Sequence, residues 1–401
     1  MNHHPRVRAR VLLTALAVLM LVPATSFAGR RSPSGKNFTG ENPLGVSRAQ
    51  FAATQEGMDL LYQRRYPESL QVFEEAGIDF PDSPLGPVGR SLVWQAIMFE
   101  NYDFTHERAY ITEYGDAKDR LKRARRGSGE PKAWLDFLEA VHLGVDAMWD
   151  IRHESYLPAF DKAWDAIELV KKVERAEPDF VDVQLATGMY DYWRTAITEQ
   201  VGNLPSFGDH RAEGLAKMQR AKKEGLLARG PASLVLTYTY LDQRDYDAAI
   251  AEGKWAREAY PDNLLNELTL GRVYRRARKW EEALASFDRV LEIDPNNKRV
   301  LFHIGEVHYK SRRNNPAAKA SYERYLATKP IPAYESHTLY RLGMIERRAR
   351  RYDEAIAYLE RAVEIDPKFK TAVDRLEQVR EEKERRSSKS RTPRKTVVKP
   401  R

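Results

Sequence analysis

Along most of this chain apolar residues recur three and four positions apart, the period of a helix that buries one face. Leu92, Trp94, Ile97 and Met98 follow it, as do Trp134, Phe137, Leu138, Val141 and Val145. The pattern continues through Phe160, Trp164, Ile167 and Val170, then Leu185, Met189, Tyr192 and Ile197. Gly127-Ser128-Gly129, Glu177-Pro178 and Gly202-Asn203-Leu204-Pro205 break it with turn-forming residues. This predicts three long helix pairs over 85–126, 131–177 and 179–225. Trp134, Trp149 and Trp164 fall among these apolar residues and are expected in the core.

The C-terminal half repeats itself. Leu264–Asn297 holds Leu270-Gly271, Tyr274, Ala283, Phe287 and Pro295, and Ser336–Phe369 holds Leu342-Gly343, Ala355, Leu359 and Pro367. Between them Lys298–Pro330 holds Ile304-Gly305, Ala318, Tyr322 and Pro330, and upstream Gly230–Asn263 holds Leu236, Tyr240, Ala249, Ala256 and Pro261. Ala249, Ala283, Ala318 and Ala355 lie 34, 35 and 37 residues apart. This spacing resembles the tetratricopeptide repeat, a pair of antiparallel helices A and B. Gly271 and Ala283 let the helices approach, Phe287 fills the gap to the next repeat, and Pro295 ends helix B. A further unit at Gln50–Ser83 carries Gly57, Phe73 and Pro81, with Ser69 at the alanine position. The resemblance implies an all-α, right-handed superhelical solenoid of about eight helix pairs, with 50–229 degenerate and 230–369 regular. Residues 370–384 read as a capping helix and 385–401 as a basic, disordered tail.

The first residues read differently. Arg6, Arg8 and Arg10 precede an apolar run from Val11 to Val22, and Pro23 and Ser26-Phe27-Ala28 follow. That is the layout of a secretory signal peptide over 1–28, cleaved after Ala28. A flexible segment, 29–49, comes next. No later stretch reaches membrane-spanning length. The chain has no cysteine, which excludes a lipidated cysteine, disulfides and thiolate metal sites. Its net charge of +8 is unevenly distributed. Residues 264–350 hold eighteen basic and ten acidic residues, whereas 29–263 hold thirty and thirty-eight. A basic total therefore does not argue for nucleic-acid binding, and none is expected.

Two constellations stand out. At the turn between helices A and B, five units carry arginine: Arg64, Arg244, Arg278, Arg312 and Arg350, with Arg65, Lys279, Arg313 and Arg351 beside them. Repeats place equivalent residues along one edge, and guanidinium suits carboxylates and phosphates. Alternatively, these cations complement the C-terminal dipoles of the A helices. By family position, the concave face of the last four repeats would carry Leu234, Tyr238, Leu241, Leu268, Arg272, Phe302, Tyr309, Tyr340 and Met344. Arg275, Arg276, Arg347 and Arg348 would extend the basic edge towards that groove. One subtype of the family clamps carboxylates with Lys and Asn, where this chain has Leu268 and Arg272, so that specificity does not carry over.

Metal and catalytic motifs do not emerge. His142 and Asp146 share a helix face, but two ligands without a third are weak. No nucleophile elbow, phosphate loop or dinucleotide fingerprint occurs. The expectation is an exported scaffold or adaptor, without cofactor or catalysis, binding a protein or peptide in the periplasm or outside the cell. The alternative is a protein that binds polyanions or the anionic envelope surface through the arginine edge and the tail. A third reading places an enzymatic site among 131–225.

Overall fold

The computed structural model describes residues 44–101, 103–201, 208–312, 314–330 and 332–391. The stretch read as a signal peptide, most of the segment after it, Arg313 and the end of the tail lie outside the described residues. The described chain forms seventeen α-helices and one short 3-10 turn, with no strand among the described residues. It divides into two compact units, Met1–Ala277 and Arg278–Arg401.

The first unit contains α1 (Arg48–Tyr62), α2 (Tyr66–Asp79), α3 (Leu85–Asn101), α4 (Glu107–Gly127), α5 (Lys132–Arg152), α6 (Tyr156–Ala176), α7 (Gln184–Val201), α8 (Arg211–Glu224), α9 (Arg229–Gln243), α10 (Tyr246–Ala259) and α11 (Leu264–Arg276). Polar side chains start several of these helices by accepting from an otherwise unpaired backbone N–H. Ser47 accepts from Gln50 before α1, Asp245 from Ala248 before α10, and Asn263 from Asn266 before α11. Small residues set how closely paired helices approach. In α1 a Cβ on Gly57 would sit 2.5 Å from the Phe73 ring, and Ser69 fits beside it by donating to the Gly57 carbonyl at 2.6 Å. Between α7 and α8 the backbones touch: a Cβ on Gly188 would lie 2.6 Å from the Gly214 carbonyl oxygen.

This unit closes on itself. The Tyr62 ring at the end of α1 packs edge-on against Tyr260 at 4.8 Å and covers Gly230. Asn263, besides capping α11, donates through Nδ2 to the Tyr62 carbonyl at 2.6 Å. Phe99, Met148, Ile151 and Ala159, from α3, α5 and α6, form a buried cluster against which Leu234, Tyr238 and Leu265 pack. Residues of α3, α5 and α6 therefore pack against Leu234 and Tyr238 of α9, which repeat position had assigned to an open groove. Asp182 secures the same unit from within, accepting from the backbone N–H groups of Leu226, Leu227 and Ala228 at 3.1, 2.5 and 2.6 Å.

The second unit contains α12 (Trp280–Ile293), α13 (Lys298–Ser311), α14 (Asn315–Ala327), α15 (Pro332–Arg348), α16 (Tyr352–Ile365) and α17 (Lys370–Arg391). Its small positions are fully buried: Ala283, Ala318 and Ala355 are inaccessible, as are Phe287, Tyr322 and Leu359 one turn further along the same helices. Ala372, Leu376 and Val379 of α17 cover the last pair. The helix continues through Arg385 to Arg391, into the stretch read as a disordered tail. None of the described helices is long and apolar enough to cross a membrane.

Candidate functional site

The five edge arginines share one backbone conformation. Arg64, Arg244, Arg278, Arg312 and Arg350 have φ of 66, 63, 61, 59 and 65°, the left-handed region that favours glycine. Only two other described non-glycine residues, Glu154 and Lys329, have positive φ. The cause is the helix ending. At Arg350 the N–H donates to the Arg347 carbonyl and the next N–H, of Arg351, to that of Glu346; Arg64–Arg65 and Arg244–Asp245 repeat the pattern. A side chain in this conformation costs about 1 kcal/mol or more relative to glycine.

Their side chains divide into two groups. Arg64 reaches across to α3, where its Nε donates to Oε1 of the buried Glu100 at 2.9 Å, and the Tyr66 hydroxyl donates to the same oxygen at 2.7 Å. Arg244, Arg278, Arg312 and Arg350 are exposed and make no ion pair among the described residues. The last turns of the helices before Arg278, Arg312 and Arg350 already hold Arg275 and Arg276, His308 and Lys310, and Arg347 and Arg348, whereas the helix before Arg244 has no basic residue there.

The groove expectation requires correction. Leu268, Tyr309, Tyr340 and Met344 are buried, the last three within the apolar core of the second unit. In the first unit Arg272 donates to the Tyr238 hydroxyl at 2.7 Å, Arg275 is half-buried and Arg276 is exposed. In the second, Phe302 sits among Tyr325 and Tyr334, with ring centroids 5.7 and 5.5 Å away. Arg347 is held by Glu382 of α17 through two bonds, at 3.0 and 2.6 Å. Arg348 stays exposed and lies 4.0 Å over the Tyr309 ring. Most of these residues therefore build the units, and Arg276 and Arg348 are the members with exposed side chains.

The middle of the first unit holds a polar cluster that spacing alone did not reveal. His142 stacks on Tyr114 at 4.2 Å, and the Tyr114 hydroxyl donates to Asp146 Oδ2 at 2.5 Å. Lys162 of α6 bridges Asp146 and Asp150 at 2.7 and 2.5 Å. This ammonium supplies the positive charge that Asp146 faces. Burial holds the His142 imidazole down at about 4, against the pull of Asp146. Nearby, Arg152 is buried over Phe104 and donates to Gln95 at 2.9 Å and to the Asp103 carbonyl. No group of three or more His, Asp or Glu side chains arranged to share a metal occurs among the described residues.

One surface has the opposite character. Leu157, Phe160 and Trp164 lie on α6 at i, i+3 and i+7 and are 80, 58 and 47 % exposed. Trp164 is thus not core, as its spacing suggested, whereas Trp134 is fully buried. Tyr190 of α7 packs edge-on against Trp164 at 6.2 Å, and the Lys171 ammonium and Arg194 guanidinium lie 4.5 and 5.0 Å over Tyr190. A row of large apolar side chains bordered by cations is the composition of a protein-binding surface.

Comparison with known proteins agrees with the repeat reading in the C-terminal half. Residues 268–334 and 337–369 match tetratricopeptide-repeat family models. The tetratricopeptide repeat protein 21 homolog of Caenorhabditis briggsae is 27% identical over 133 residues, 33% of this chain but only 10% of that protein. Among solved structures, the human IFIT1 dimer with m7Gppp-AAAA aligns over 94% of this chain and 87% of its own, with a TM-score of 0.51 at 12% identity. The same protein with PPP-AAAA gives 0.50 at 11% identity. A thermophilic TPR protein of Thermus thermophilus covers 48% of this chain and 98% of its own, with a TM-score of 0.38 at 20% identity. The chain therefore carries tetratricopeptide repeats within an all-helical fold of the same class, an architecture associated with protein–protein interaction.

Proposed function

We propose that this chain is an exported, non-catalytic scaffold that recruits a protein partner in the periplasm or outside the cell. The observation that carries the interaction reading is the exposed apolar row Leu157, Phe160 and Trp164 on α6. Leaving such side chains in water wastes the roughly 1.5–3 kcal/mol that burying each would contribute. A partner that covers them recovers it. Export rests on the charged, apolar and small-residue order of residues 1–28.

The test joins both parts. The full chain is produced in a bacterium with a photo-crosslinker at position 160, the cells are fractionated, and the N-terminus is sequenced. The proposal expects a chain beginning at Gly29 outside the cytoplasm and one discrete crosslinked protein. An unprocessed chain retained in the cytoplasm would remove the export part. A processed chain with no crosslinked protein would remove α6 as the recruiting face.

A further inference from the structure

We propose that Arg278, Arg312 and Arg350, on the second unit, form a docking edge for an extended acidic segment of a partner protein. This rests on the reading above that the partners are proteins. Each of the three lies in the turn between the helices of a repeat, in the same left-handed conformation, two or three residues before α12, α14 and α16. Each is exposed and makes no ion pair among the described residues.

Three ordinary explanations do not account for them. Glycine would make the turn at lower backbone cost. The helix dipole is already met by Lys310, Arg347 and Arg348, which sit in the last turns in relaxed helical geometry. A fixed salt bridge of the kind that justifies Arg64 is missing at these three positions. What remains is the guanidinium itself, a planar fork that takes a carboxylate with two parallel hydrogen bonds.

The surroundings select among anions. α13 and α15 touch directly, so Arg312 and Arg350, which follow them, are separated by about one helix-packing distance, 8–10 Å. An extended peptide advances about 3.3 Å per residue, so an acidic residue at every third position keeps pace with the repeats. Glu281, Glu282 and Glu354 lie in the first turns of α12 and α16, close to Arg278 and Arg350. They would repel a continuously charged polymer but leave room for spaced carboxylates. The first turn of α14 has no acidic residue, so Arg312 is the least screened of the three.

The test is fluorescence anisotropy with the full chain and a labelled peptide of about fifteen residues, with Glu at every third position among Ser and Gly. A Gln version serves as control, and a sulfated polysaccharide as competitor. The triple variant Arg278→Gly, Arg312→Gly, Arg350→Gly should bind the peptide roughly tenfold more weakly, with a thermal unfolding midpoint no lower than wild type. Arg312→Gly alone should have the largest single effect. If the triple glycine variant melts early, the Arg→Gln triple decides: it too must lose binding. Unchanged affinity in these variants, no binding by wild type, or preference for the polysaccharide would each overturn the proposal. A result of that kind, with crosslinking through position 160 intact, leaves the scaffold reading standing. Loss of that crosslinking with the edge intact overturns only the α6 face.

Discussion

At the scale of single residues, two kinds of tension are built into this chain: strained backbone and buried charge. Arg64 and Arg312 share one conformation, but Arg64 answers the buried Glu100 while Arg312 answers nothing among the described residues. Arg312→Gly should therefore leave stability unchanged or raise it by up to about 1 kcal/mol, relief of strain being offset by the looser unfolded chain. Arg64→Gly should lower it by about 2 kcal/mol, because Glu100 keeps its burial and loses a partner. Urea unfolding of the two variants separates these outcomes. His142 adds a pH dependence. Its folded pKa of about 4 lies below the usual 6.5, so the fold favours the neutral ring. That contribution is complete above pH 6.5 and is lost as pH falls towards 4, with stability falling by roughly 2–3 kcal/mol. Asp182 acts in the opposite sense: burial, opposed by its backbone hydrogen bonds, lifts it to about 6, so its ionisation weakens the fold as pH rises from about 4 to 6. His142→Phe keeps the stack on Tyr114 and should flatten the acid loss of unfolding free energy between pH 6.5 and 4.

At the scale of elements, helix existence followed from local pattern and contact partners did not. Spacing marked the apolar faces of α5, α6 and α7, and Gly127–Gly129 and Pro178 marked their ends. The same spacing could not say which faces a neighbour would cover: Trp134 and Trp164 look alike in sequence, yet one is core and the other lies on an open face. The A/B turns were legible because a repeat places equivalent residues equivalently. Their left-handed conformation was hidden because arginine occupies the glycine position. The closest helix crossing offers a test at this scale. Gly188→Ala should cost about 2 kcal/mol or more, since the new Cβ meets backbone of α8 rather than a side chain that can rotate away. Gly115→Ala, with nothing within 4 Å of its Cβ, should be neutral or stabilising. Thermal melts of both would show the contrast.

At the scale of the whole molecule, the least legible feature is the closure of the first unit. Tyr62 and Asn266 are 204 positions apart and meet through a hydroxyl–amide bond of 3.4 Å that no periodicity announces. The groove residues of the first unit, Leu234 and Tyr238, were misplaced for that reason: repeat position gives a helix its inward face but not what the same chain lays over it. Tyr62→Ala should therefore lower stability by about 3 kcal/mol, although it lies at the end of a helix, because it leaves a cavity against Gly230 and Tyr260. The central claim is that this is a recruiting scaffold whose α6 face meets a protein partner. The most direct measurement is partner capture by the full chain and by a Leu157→Ser, Phe160→Ser, Trp164→Ser variant, with circular dichroism of both. The account predicts unchanged helicity, a melting midpoint no lower than wild type, and loss of the captured protein at low and physiological salt alike. Capture undiminished by the triple substitution would contradict it.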